Sequence, residues 1–130
     1  ALPHLDAWLA DSPTDAGAHA QRGDALQSLS RFDEAVMAYR ASLRLDASNV
    51  KTRTNLGSAL GRSGRHGEAL EALREALRID PGYTPASRNL GFALLNLGRV
   101  DEAIAVFEDV VRRAPSDDSR ADLEYARSIR

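Results

Sequence analysis

Residues 50–83 read VKTRTNLGSALGRSGRHGEALEALREALRIDPGY, and residues 84–117 read TPASRNLGFALLNLGRVDEAIAVFEDVVRRAPSD. Set one beneath the other, the two stretches agree column by column. Gly57 meets Gly91, Leu60 meets Leu94, Arg65 meets Arg99, Glu68 meets Glu102, Ala69 meets Ala103 and Pro81 meets Pro115. The same register runs back through Gly23, Leu26, Arg31, Glu34 and Ala35 and reaches Pro13 and Ala1, with Ala47 where a proline is expected. A fixed period of 34 residues is the mark of a stacked-repeat architecture, in which each unit cannot bury its own apolar face.

Within each unit the apolar spacing divides into two helices. The pattern predicts first helices over 15–29, 50–63 and 84–97, and second helices over 33–45, 67–79 and 101–113. The separators Ser30-Arg31, Gly64-Arg65 and Gly98-Arg99 carry turn chemistry, since a glycine there can take positive φ at a helix end. Thr84-Pro85 reads as an N-cap followed by proline in the first turn, and Pro81 and Pro115 close second helices. Gly23, Gly57 and Gly91 fall mid-helix, where glycine costs about 1 kcal/mol relative to alanine. Close approach of the partner helix offsets that cost, with Ala35, Ala69 and Ala103 expected to face the glycines. Val36, Leu70 and Ile104 form one core column, and Tyr39, Leu73 and Phe107 another.

Composition bounds the function. The 130 residues are 43% hydrophobic, 28% charged and 5% aromatic, which fits one packed helical domain and not a disordered chain. A net charge of -2 gives no global attraction to nucleic acid or to an anionic membrane. No apolar run approaches the roughly 20 residues of a membrane span, and no signal peptide is visible, so a cytoplasmic location is expected. There is no cysteine, hence no thiol chemistry. His4, His19 and His66 are scattered, no phosphate-cradling loop exists, and no serine sits in a nucleophile elbow. The sequence therefore predicts no catalysis, no cofactor and no metal.

The sequence resembles the tetratricopeptide repeats. The resemblance rests on the period, on Leu56-Gly57 and Leu90-Gly91, on Ala69 and Ala103, on Phe107, and on Pro81 and Pro115. It departs from the family at His19, Arg53 and Ser87, where tryptophan is frequent, and at Leu26, Leu60 and Leu94, where tyrosine is common. The implied fold is an all-α, right-handed solenoid of antiparallel helix pairs with about eight helices. Its expected parts are a second helix of a partial upstream repeat (1–13), three repeats (16–49, 50–83 and 84–117) and a C-terminal capping helix (118–130), within a larger protein.

The family also implies a concave groove, lined by the first helices, that holds a peptide or protein segment. By resemblance its lining here includes Gln21, Asp24, Lys51, Thr54, Asn55, Ser58, Arg62, Arg88, Asn89, Phe92 and Asn96. Gln21, Asn55 and Asn89 form a column of amides, resembling the asparagine ladder of O-linked N-acetylglucosamine transferases; a carboxamide can pair with any peptide backbone. Lys51, Arg62 and Arg88 favour a ligand of acidic character, with Asp24 opposing them. The family's carboxylate clamp for chaperone tails is not expected: of its positions only Asn55 matches, the others being Ala20, Asp24, Pro85 and Asn89.

At the ends, Leu2, Leu5, Trp8 and Leu9 form an apolar remainder that could support self-association. On the last helix Leu123, Ala126 and Ile129 are expected to face the third repeat, and Arg120, Asp122, Glu124 and Arg127 to face water. The leading function is therefore a protein-binding module using the groove. The alternatives are a structural oligomerisation segment and a targeting arm of a larger enzyme such as a glycosyltransferase.

Overall fold

The computed structural model describes residues 15–130. Among them it is helical throughout: α1 (Ala16–Ser28), α2 (Phe32–Leu45), α3 (Val50–Arg62), α4 (His66–Ile79), α5 (Thr84–Asn96), α6 (Val100–Arg113) and α7 (Asp117–Ile129). The proposed upstream helix, with Leu2, Leu5, Trp8 and Leu9, lies outside the described residues. Each helix packs mainly on its neighbours in sequence, while α1, α3, α5 and α7 also touch in succession along one face. This is the all-α solenoid that the repeat predicts. No helix among the described residues is long and apolar enough to cross a membrane.

The turns inside each pair explain three repeated columns at once. Ser30, Gly64 and Gly98 take φ of 60°, 87° and 77°. That left-handed residue turns the next backbone N–H back onto the helix, so Arg31 donates to the Leu26 carbonyl at 2.9 Å, Arg65 to Leu60 at 2.8 Å and Arg99 to Leu94 at 2.9 Å. Each arginine side chain then folds onto the glutamate three residues on: Arg31 on Glu34, Arg65 on Glu68 at 2.6 Å and Arg99 on Glu102 at 2.8 Å. These pairs are exposed, so solvent screens them and they add little to stability. Their geometric effect is to fix the entry of each second helix.

Helix starts are capped unevenly. The Asp15 carboxylate accepts from the Ala18 N–H at 3.0 Å, and the Asn49 amide oxygen accepts from Thr52 at 3.0 Å. Ser116 and Ser119 cap each other reciprocally at the start of α7. Thr84 is not the cap expected of it. Tyr83 occupies that place with no side-chain bond, and Thr84 is already helical. Proline at the second helical position forfeits an N–H that has no intrahelical partner anyway, so Pro85 starts the helix by its fixed φ alone.

Close packing within each pair differs in detail from the expectation. A Cβ on Gly23 would lie 2.6 Å from Tyr39 Cε1, and one on Gly57 would lie 2.6 Å from Leu73 Cγ. One on Gly91 would strike the Phe107 ring. The glycines thus face large buried residues of the second helices, not Ala35, Ala69 and Ala103. They clear space for a side chain rather than for a second backbone. Tyr39, Leu73 and Phe107 are almost fully buried as a result. The alanines are buried elsewhere; Ala69 lies behind Gly61, where an added Cβ would be 4.0 Å from its own. On α7, Leu123 and Ala126 are buried as expected, but Ile129 is 47% exposed.

Gly57→Ala should therefore destabilise the fold by about 1–3 kcal/mol, because the added methyl would lie under 3 Å from two Leu73 carbons and force that buried side chain to shift. Gly67→Ala, at an exposed helical site where a Cβ meets nothing within 4 Å, should instead stabilise it by up to about 1 kcal/mol. Urea unfolding of the two variants reads both signs; equal midpoints would refute this account of the glycines.

Candidate functional site

Three depressions run along the face formed by α1, α3 and α5. The first, about 420 Å³, is bounded by Asp24, Gln27, Ser28, Ser58 and Arg62. The second, about 190 Å³, is bounded by Gly57, Ser58, Gly61, Arg62, Ala69, Leu73, Asn89, Phe92, Ala93 and Asn96. The third, about 400 Å³, is bounded by Thr84, Pro85, Arg88, Asn89 and Phe92. Ser58 and Arg62 form a wall common to the first two, and Asn89 and Phe92 a wall common to the last two. The depressions thus adjoin one another along the first helices of all three pairs, and together they are called the groove below.

The structure brings Asp24, Ser58, Arg62, Arg88, Asn89, Phe92 and Asn96 together around this groove. Asn55 is half-buried and borders none of the three depressions, but its Nδ2 donates to Asp24 Oδ1 at 3.3 Å. Gln21 and Lys51 are exposed and border none of the three depressions. Thr54 is turned away from the groove. It is 3% exposed, and its hydroxyl donates to the Val50 carbonyl at 2.9 Å, as a β-branched hydroxyl in a helix tends to do.

A polar network at the first-repeat end was not read from the sequence. The Tyr39 hydroxyl donates to Asp24 Oδ1 at 2.5 Å and accepts from Gln27 Nε2 at 3.1 Å. Ser58 Oγ donates to Gln27 Oε1 at 3.1 Å, which ties α3 to α1. Tyr39 belongs to the core column, so periodicity gives it an apolar role; only its packing against α1 shows that its buried hydroxyl bonds two residues that border the groove, Asp24 and Gln27. Burial, and then the bond to Asp24, hold the phenol in its protonated form well above the ordinary tyrosine range. Asp24 Oδ2 has no hydrogen-bond partner among the described residues.

The groove is less basic than the sequence suggests. Arg88 Nε donates to Asp122 Oδ2 at 2.7 Å, and Asp122 is only 12% exposed at its side chain. Asp122 was expected to face water; instead it lies on the inner side of α7, one repeat length after Arg88, and neutralises it. The Asp122 bond raises the Arg88 guanidinium above its ordinary value. Arg62 has no such carboxylate among the described residues, and its guanidinium sits 5.3 Å above the Phe32 ring. On the outer surface, Arg78 pairs with Glu75 and Arg112 with Asp109. Among the described residues no cluster of three or more histidines or carboxylates could hold a metal ion.

A stack of helix pairs with a continuous inner groove defines a helical-repeat binding scaffold. Two family models, each described as tetratricopeptide repeat, match residues 20–84 and 62–124. The chain belongs to the tetratricopeptide repeat family. No curated protein matches it. Among solved structures it is similar to the first TPR of Spaghetti (RPAP3) bound to HSP90 peptide SRMEEVD, with 23% identity, a TM-score of 0.83, and coverage of 88% of this chain and 94% of that one. It is also similar to the Sgt2 TPR domain from Aspergillus fumigatus, with 23% identity, a TM-score of 0.82 and coverage of 88% and 78%. The second TPR domain of human RPAP3, in complex with HSP70 peptide SGPTIEEVD, has 22% identity, a TM-score of 0.79 and coverage of 86% and 98%.

The Tyr39 network makes a pH-dependent prediction. A tyrosine pKa raised on folding leaves stability unchanged below about pH 10, where the unfolded phenol is also protonated. Above that pH the unfolded state alone loses the proton, so stability falls, at up to about 1.4 kcal/mol per pH unit. Tyr39→Phe should be about 1 kcal/mol less stable at pH 7 through the lost hydroxyl bonds, and should lose this alkaline slope. Thermal unfolding between pH 9 and 11 checks it: identical slopes for the two proteins would show that Tyr39 is not held protonated.

Proposed function

We propose that this domain binds an extended segment of another protein in the groove along α1, α3 and α5. The observation that carries the reading is the continuity of that groove. Three depressions share walls across three repeats, which suits a chain laid along the stack and not a compact small molecule. The walls mix amides and hydroxyls with an aromatic ring, the donors and acceptors a peptide backbone requires. Two of the similar structures carry peptides, which supports this use of the fold.

Asn55 and Asn89 pair with the backbone of the bound segment in this reading, as the resemblance to the transferase ladder suggests. Asn89 stands on the wall common to two depressions, so it meets the ligand wherever the ligand crosses between them. Asn55 is anchored on Asp24 and offers the rest of its amide. The domain acts by holding its partner, and any chemistry done on that partner belongs to other polypeptides or to other parts of a longer chain.

Selection from a displayed peptide library on the immobilised domain tests this. Peptides recovered on the wild type should bind Asn55→Ala/Asn89→Ala at least tenfold more weakly, the loss of about 1.4 kcal/mol expected for one backbone pairing. The melting temperature should stay within a few degrees. Recovery of no peptide, or unaltered affinity in the double variant, would reject the groove as the binding surface.

A further inference from the structure

The second depression exists because one side chain is missing. Gly61 occupies the register held by Gln27 in the first repeat and Leu95 in the third. In the first repeat Gln27 is half-buried and bonds to Tyr39 and Ser58. In the third repeat Leu95 packs on the core. In the second repeat nothing projects from that position, and a hollow of about 190 Å³ opens beneath it onto the groove.

We infer that this hollow seats a single aliphatic side chain of the bound segment, and that Arg62 at its mouth pairs with a carboxylate on an adjacent residue of that segment. The inference rests on the peptide-binding reading above and names the ligand that reading lacks. The size fits one side chain of the leucine class. Gly57, Ala69, Leu73, Phe92 and Ala93 in its lining offer no side-chain hydrogen bond, so an apolar occupant is favoured against them. One wall is firm: the Phe92 ring meets the buried Phe107 ring edge-on, at 5.1 Å between centroids and 65° between planes. The polar groups Ser58, Asn89 and Asn96 lie in the lining, where a flanking backbone could reach them.

Charge supplies the neighbouring residue. Arg88, the other guanidinium of the groove, is already matched by Asp122 at 2.7 Å. Arg62 lines both the hollow and the depression next to it, and its cation is met only by the Phe32 ring among the described residues. A carboxylate arriving with the ligand would find a guanidinium prepositioned for a bidentate bond. The Asp24 carboxylate borders the neighbouring depression together with Arg62 and does not border the hollow. It would repel an acidic residue shifted toward the first repeat, which sets the order of the two ligand residues along the groove.

The test uses nine-residue peptides displayed internally, without a free C-terminus, followed by titration of the best one with acetyl and amide ends. Wild-type selection should fix Leu, Ile, Val or Met at one position and enrich Asp or Glu beside it. Gly61→Leu fills the hollow with the third repeat's own residue and should weaken binding at least thirtyfold without lowering the melting temperature. Gly61→Ala adds one methyl group at ordinary contact distance from Ala69, folds in either case, and should weaken binding severalfold. Arg62→Ala should weaken the acidic peptide about tenfold and leave its Gln-substituted version unchanged. Affinity within twofold of wild type for both Gly61 variants, or free replacement of the aliphatic residue by Ala, would overturn the inference. If Asn89→Ala weakens those same peptides while the Gly61 variants do not, the groove stands and only this seat is wrong. If no peptide is selected, both readings fall.

Discussion

Everything in this molecule depends on one contact made three times: a glycine in the first helix of each pair receiving a large buried side chain of the second. Tyr39, Leu73 and Phe107 enter the gaps left by Gly23, Gly57 and Gly91. A bulky residue can be buried this way without spreading the helices, so the pair stays thin enough to stack. Stacking then covers the apolar surface that an isolated pair would leave in water. Two contiguous clusters result. One is centred on Tyr39 and Leu60, and the other spans Leu70 to Ala126. α7 continues the stack by burying Leu123 and Ala126. It carries Tyr125 at the register of the glycines, with the ring 56% exposed. A further helix packed as α2, α4 and α6 are would find no gap at that point.

The binding surface comes from departures from the repeat, not from the repeat itself. A perfectly regular stack would present the same side chains three times. Here the register of Gln27, Gly61 and Leu95 changes from an amide to nothing to an aliphatic group, and the groove changes with it. The first repeat is closed by the Tyr39–Gln27–Ser58 bonds, the second is hollow, and the third is filled. The repeats supply a rigid frame, and their irregularities supply chemistry that differs along its length.

Charge is distributed by the same logic. The periodic arginines at the turns and on the outer face are consumed by carboxylates one turn away. Inside the groove, Arg88 is satisfied by the last helix. Asp24 and Arg62 remain without an ion-pair partner among the described residues. Both are held in place, one by the Tyr39 hydroxyl and the other over Phe32. A held and unmatched charge loses little conformational freedom when a partner arrives, which is what favours specific pairing at an open surface.

The sequence by itself determined the helices, their order and their pairing. Period, glycine positions and turn residues are local signals, and a 34-residue repeat makes each of them legible three times over. The face expected to form the groove came from the family resemblance, which places it on the first helix of each pair. The sequence did not determine which groove residues point outward, are already bonded, or are missing a neighbour. Thr54 turned inward, Asp122 neutralised Arg88, the buried Tyr39 hydroxyl bonded Asp24, and Gly61 opened a hollow. Each of those outcomes depends on atoms a full helix or a full repeat away. The one-dimensional pattern gives the direction of a side chain from its own helix, whereas only the packed stack decides what meets it.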